Sequence, residues 1–292
     1  MFQVMLPIIA PIFISVGLGW LWVKSGRSMD VTAVNMMVTN IGAPCLVFSS
    51  LARVSVSGAA LADMAAATAL ALAGFMALGA VVLRVAKLSS STYLPSLVFT
   101  NCGNMGLPLS LFAFGQAGLD LAAAYFAVSM VVMMVLGIWL VSGEPTPKAA
   151  LTMPLPYAVA AALMFRGAGV EVPAWLYNST DLLGGMTVPL MLLTLGVSLA
   201  SMRVKTFRRA SALAVLRLAM GAAVGFALAE VFAFDGVARG VLIIQCAMPP
   251  AVFNYLFAQT YRREPEEVAG VIVLSTLISF ATLPLLLSFV LI

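Results

Sequence analysis

Two stretches of the chain carry the side chains best suited to recognise a polar ligand. Residues Thr100 to Leu109 read TNCGNMGLPL, and residues Gln245 to Asn254 read QCAMPPAVFN. Together they hold four carboxamides, Asn101, Asn104, Gln245 and Asn254, among the helix breakers Gly103, Gly106, Pro108, Pro249 and Pro250. A carboxamide donates and accepts hydrogen bonds without a fixed charge. A proline lacks an N–H and clashes with the preceding turn, so it opens a helix and exposes backbone amides. That chemistry is ligand binding rather than bond making. Histidine is absent, and the Ser and Cys residues have no base near them in sequence, which leaves no nucleophile–base pair. Cys45, Cys102 and Cys246 lie in apolar segments without metal-ligand spacing and read as inert buried thiols. No enzyme, cofactor or metal centre is expected.

The elements that must position these residues are membrane helices. The chain has 292 residues, 63% hydrophobic and 9% charged, with a mean hydropathy of +1.10. Those values lie far outside the range of a soluble domain. Apolar runs near 20 residues, the length that crosses a bilayer, recur throughout. The expected fold is an all-α polytopic membrane protein with ten spans, near 4–23, 31–52, 59–83, 92–114, 119–141, 151–167, 175–200, 210–232, 238–259 and 267–291. MFQVMLPIIAPIF lacks a basic leader and is not read as a cleaved signal. The net charge of +4 does not point to nucleic acid, because the basic residues fall in short loops. Eleven of the fifteen lie in odd-numbered loops and only Arg53, Arg166 and Arg239 in even ones. The odd loops are therefore expected in the cytoplasm and both termini outside, in a bacterial inner membrane.

The chain also repeats itself. Pro11 and Pro156 are 145 residues apart, as are Pro44 and Pro189. NCGNMG (Asn101 to Gly106) aligns with QCAMPP (Gln245 to Pro250) at an offset of 144, and Ser129 with Ser275 at 146. Residues 1–146 and 147–292 thus form two repeats of five spans. An odd number of spans makes the second repeat enter from the opposite side, an architecture common among secondary transporters.

The two polar stretches fall at corresponding depths of spans 4 and 9. Irregular backbone is tolerated at membrane depth only where protein buries it or a cavity hydrates it. Paired breaks in matching spans are a sequence pointer to a transporter's binding site, and each break exposes a helix N-terminus that favours an anion. A single kinked span is an ordinary packing device; two matched breaks with four carboxamides favour a site. Ionisable residues inside spans are few. Asp63 and Glu230 lie towards span ends, Asp120 and Asp235 in external connections and Asp181 near the start of span 7. Arg217 lies nearest a span centre, and is expected to snorkel to the cytoplasmic face, the alternative being a charge facing the transport pathway.

At these residues the chain resembles the auxin efflux carrier family, in particular its bacterial members. NMGLPLSLFAFG, QCAMPPAVFNYLFAQTYRREPEEVAGVIVLSTLISFATLPL, NIGAPCLVFSSLA and VPLMLLTLGVSLA carry the likeness over essentially the whole chain. The resemblance implies two inverted five-helix repeats related to the bile acid sodium symporter fold. Helices 1, 2, 6 and 7 would form a scaffold, and 3–5 and 8–10 a transport domain moving as an elevator. Broken helices 4 and 9 would cross beside a small organic, auxin-like carboxylate. Asn101, Gly106 and Pro108 match the family's span 4 motif; Gln245, Pro249 and Tyr261 match its span 9 pattern. The chain departs from plant members in three places. Span 5 offers Ser129 rather than an Asn, Asp63 is followed at four residues by Ala67 rather than Lys, and the central loop is only SGEPTPK. These departures favour a small organic acid or another amphiphilic anion over auxin itself. Such an anion can be driven outwards by about 2.3 kcal/mol per unit charge per 100 mV. Sodium coupling through backbone carbonyls, and a channel or sensor on the same fold, are the alternatives. The expected partners are the organic anion, the lipid bilayer and a second copy of the chain in a homodimer.

Overall fold

The computed structural model describes residues 2–52, 56–144 and 151–291. Arg53, Lys148 and the expected repeat boundary at 146/147 lie outside the described residues. What is described is almost entirely helical, in the order α1 (Phe2–Lys24), α2 (Val31–Ala52), α3 (Gly58–Val85), α4 (Ser90–Val98), α5 (Cys102–Ser142), α6 (Pro154–Gly167), α7 (Ala174–Ser201), α8 (Phe207–Val231), α9 (Gly236–Ala247), α10 (Phe253–Thr260) and α11 (Pro265–Val290). Seven of these are long and apolar enough to cross a membrane: α1, α2, α3, α5, α7, α8 and α11. Large apolar side chains such as Ile14, Leu18, Leu78, Val81 and Leu182 point outwards. Lipid, unlike water, accepts such a surface.

Sequence chemistry explains where the helices stop. Asp30 caps the first turn of α2 by accepting from the Ala33 amide at 3.0 Å, and Ser57 does the same for α3 from Ala60 at 3.1 Å. Ahead of Pro44, α2 loosens into a π turn over Val38–Gly42, a local widening of the kind often met at functional sites. Within α5, Gly115 takes φ 63° and ψ −151°, a conformation that glycine tolerates and L-residues avoid. Gly118 then packs against the carbonyl of Ser110, eight residues back. A continuous helix would hold those residues about 12 Å apart, so the chain doubles back at Gly115. The turn falls between the stretches 92–114 and 119–141 expected from the sequence.

The packing partners fall into two groups. α1 lies along α7, while α2 packs on α6 and α7. α3 packs on α4 and α5, and α8 on α9 and α11. The cores meet around the interruptions between α4 and α5 and between α9 and α10: Met105 and Leu109 from one side, and Ile244 and Met248 from the other, join one buried apolar cluster.

Two charged residues sit differently from expectation. Arg217 does not snorkel. It is 0% exposed, with its guanidinium 2.9 Å from the Cys246 carbonyl and 4.4 Å from the centre of the Phe75 ring. These contacts hold the side chain inside the bundle. Asp120, read as part of an external connection, is buried and accepts from Gln116 Nε2 at 2.8 Å. Glu267, at the start of α11, is also buried. It accepts from Tyr93 at 3.1 Å and from Thr206, with Arg209 at 3.8 Å.

Candidate functional site

The two interruptions cross and pair. Between α4 and α5 the chain is extended at Phe99, with φ −91° and ψ 109°, and between α9 and α10 at Met248, with φ −62° and ψ 148°. Thr100 and Pro250 form an antiparallel bridge. The Asn101 amide donates to the Pro249 carbonyl at 2.7 Å, and the Ala251 amide donates to the Phe99 carbonyl at 2.9 Å. The bridge answers the demand that the membrane places on broken helices, since each backbone group freed by a break must find a partner in the protein. Prolines 249 and 250 bring no N–H of their own to be satisfied, which makes this a low-cost place for irregular backbone.

Beyond the bridge, the Asn101 carbonyl accepts from the amides of Met105 at 3.3 Å and Gly106 at 3.0 Å. These bonds start a π turn over Cys102–Gly106, and Pro108 sits in the first turn of the α-helix that follows. In that position a proline's missing N–H costs nothing. The N-terminal end of this half-helix carries the positive end of its dipole.

A cavity of about 30 Å³ adjoins the crossing, walled by Asn101 and Asn104, by Asn35 and Thr39 of α2, by Phe126 and Ser129 of α5 and by Met191 of α7. The Nδ2 of Asn101 and the Oγ of Ser129 are buried without a hydrogen-bond partner. An unpaired buried amide costs about 1–3 kcal/mol. The volume has room for about two waters at 10–15 Å³ each. Pockets that enclose small molecules run from about 300 Å³ upwards, so the cavity is too small for one in this conformation. Much of its wall is apolar (Phe99, Phe126, Met130, Met133, Phe253), and carboxamides and hydroxyls interrupt it. Such a lining suits an amphiphilic molecule with one polar head.

The expected site residues separate into three groups. Asn101 and Asn104 face the cavity. Pro249 and Pro250 form the bridge, and Asn254 braces it by donating Nδ2 to the Phe99 carbonyl at 3.1 Å. Gly106, Pro108 and Gln245 lie away from the cavity wall. Gln245 Nε2 reaches Ser110 Oγ at 3.4 Å, and its carboxamide rests against Gly106 where a β-carbon would overlap it. Tyr261, at the end of α10, is exposed. Asn35 and Thr39 were missed; their one signal is a pair of polar residues four apart on an apolar span, which places them on one helix face.

A bundle of long apolar helices with an interrupted, hydrogen-bonded crossing at its core defines a multi-pass membrane protein. Residues 140–287, half of the chain, match the family described as membrane transport protein, and the chain belongs to that family. The match includes Gln245, the bridge residues Pro249 and Pro250, and Asn254. Two relatives are described as uncharacterised transporters. One, from Methanothermobacter thermautotrophicus, is 25% identical over 269 residues, 88% of either chain. Another, from Methanocaldococcus jannaschii, is 26% identical over 195 residues, 63% of either chain.

Proposed function

We propose that the protein is a secondary transporter of small organic anions, with the substrate's charged head held at the crossing of helices 4 and 9. The reading takes ten spans in two inverted five-helix repeats. Span 4 is α4 plus α5 up to Gly115, span 5 the rest of α5, and span 9 is α9 plus α10. Spans 1, 2, 6 and 7 form the scaffold and the others an elevator-like transport domain. It also takes a bacterial inner membrane with both termini outside. The observation that carries the reading is Asn101. Its backbone is spent on the bridge to Pro249, its Nδ2 is buried without a protein acceptor, and the residue is part of the cavity wall. A donor left free beside a helix N-terminus suits a carboxylate. The small cavity suits alternating access, because its wall combines residues of α2 and α7 with residues of α5 and the crossing. Sliding one group past the other would open the space.

The test is a thermal-shift and flux screen of purified protein against acetate, benzoate and indole-3-acetate, with and without sodium, at two pH values. Saturable uptake into proteoliposomes that accelerates under an imposed membrane potential is expected. Single-channel currents, or no stabilisation by any carboxylate, would count decisively against the proposal.

One observation favours a sodium-coupled variant of the same function. Thr100 Oγ1, Ser129 Oγ and Asn254 Oδ1 are buried oxygens around the crossing without hydrogen-bond partners. Hard cations take such neutral oxygens. Uptake that tracked a sodium gradient and ignored the potential would select this variant.

A further inference from the structure

The cavity wall carries no charge of its own, yet a full positive charge is buried behind it. Arg217 sits at the middle of α8, 0% exposed, and no carboxylate lies within ion-pair distance of it among the described residues. Only Nη2 is engaged, on the Cys246 carbonyl at 2.9 Å; Nε and Nη1 have no partner. Cys246 is the penultimate residue of α9, so the guanidinium sits at the C-terminal, negative end of the half-helix that leads into the Met248–Val252 interruption. Phe75 of α3 covers its other face at 4.4 Å. A partial dipole and a ring face offset part of the desolvation of a unit charge, and they leave its net charge in place. Buried charges are normally paired, and a charge inside a membrane span marks function by default.

Packed groups connect Arg217 to the helix α5 that walls the cavity. Cys246 Sγ lies 3.8 Å from the Tyr125 hydroxyl, and Tyr125 directly precedes Phe126, a cavity wall residue. We infer that Arg217 is the counter-charge for the carried anion: it acts through space across the Cys246–Tyr125 layer to make the crossing select carboxylates over neutral molecules of the same shape. The inference rests on the anion reading above and adds the source of its charge preference. Asn101 and the helix terminus supply direction by hydrogen bonding. Arg217 supplies the net charge that neutral amides lack, and its burial among low-dielectric groups keeps the field unscreened.

The experiment compares binding of acetate, benzoate and indole-3-acetate with that of their uncharged amides, acetamide, benzamide and indole-3-acetamide. The proteins are wild type, Arg217→Lys, Arg217→Gln and Phe75→Glu, each checked for monodispersity. Phe75→Glu keeps the arginine but sets a carboxylate against it. Wild type and Arg217→Lys should prefer the acids. Arg217→Gln and Phe75→Glu should bind the acids about tenfold more weakly and the amides unchanged, as expected for a charge acting across a few packed groups. Equal binding of acids and amides by wild type would overturn the anion reading itself. An acid preference in wild type that survives both neutralising variants would overturn the role of Arg217 alone. So would failure of both neutralising variants to fold while Arg217→Lys folds, since the charge would then be serving the bundle.

Discussion

Gly106 and Gln245 touch so closely that no side chain fits between them: a β-carbon on Gly106 would overlap the Gln245 carboxamide. The two residues belong to α5 and α9, the helices on either side of the crossing, and each lies within a few residues of the Thr100–Pro250 bridge. The bridge fixes the breaks by backbone hydrogen bonds. The Gly106–Gln245 contact sets how near the two helices can approach. Glycine is needed at this position for space, because Gly106 has ordinary helical dihedrals, with φ −69° and ψ −46°.

Gly106→Ala should therefore push the crossing apart. Overpacking of a tight contact costs about 1–3 kcal/mol, read as a lower midpoint in thermal unfolding of the detergent-purified protein. Shortening the opposing side chain should restore most of it, so Gly106→Ala with Gln245→Ser is expected to unfold nearer the wild-type temperature. An alanine variant as stable as the parent would show that the contact has slack.

Asn254→Ala tests the brace on the bridge. It removes the bond to the Phe99 carbonyl but leaves that oxygen its other donor, the Ala251 amide at 2.9 Å. The loss should be about 1 kcal/mol, that of one neutral hydrogen bond. Its local signature is faster hydrogen exchange in peptides containing Asn101 and Ala251. Unchanged exchange there would mean that the bridge stands without Asn254.

The breaks themselves are legible in the sequence, because Gly and Pro act on their own backbone and need no knowledge of neighbours. The same holds for the reversal at Gly115 and for the caps at Asp30 and Ser57. The register of the bridge is not legible. Nothing local tells Asn101 to meet Pro249, since that pairing joins residues about half the chain apart. Side-chain direction is hidden for the same reason: Gln245 shares a polar stretch with the bridge residues, but its rotation about α9 aims it at Gly106 and Ser110. Arg217 shows the limit most clearly. Its sequence neighbours describe a lipid-compatible helix on which snorkelling is the natural expectation, and only the Cys246 carbonyl and the Phe75 ring hold it inside.

A second polar cluster ties the ends of three helices together. Tyr93 of α4 accepts from Arg209 of α8 at 3.1 Å and donates to Glu267 of α11 at 3.1 Å. Tyr93→Phe removes both bonds and leaves the buried carboxylate with Thr206 and with Arg209 at 3.8 Å. Hydrogen bonds to charged groups contribute about 1.5–3 kcal/mol, so a loss of that order in thermal stability is expected. All three helices fall in the proposed transport domain, so discrimination between benzoate and benzamide should not change. A variant of wild-type stability would show that the tyrosine hydroxyl does not hold these helix ends together.

Asn101→Ala separates binding from folding at the crossing. The main-chain bond from Asn101 to Pro249 does not involve the side chain and survives the substitution. The side-chain Nδ2 has no protein partner to lose, and removing an unsatisfied buried donor is neutral or slightly stabilising. Thermal unfolding without substrate should therefore match wild type or rise. Binding of indole-3-acetate should fall about tenfold, the loss of one charge-assisted hydrogen bond. Pro108→Ala and Pro249→Ala make the opposite pattern. Each removes a fixed backbone angle beside a break and lets regular helical bonds form there, so transport should fall even where binding to the static protein is retained. The three variants thus test position and motion apart. If Asn101→Ala binds as tightly as wild type and both proline variants transport normally, the crossing is not where the substrate sits.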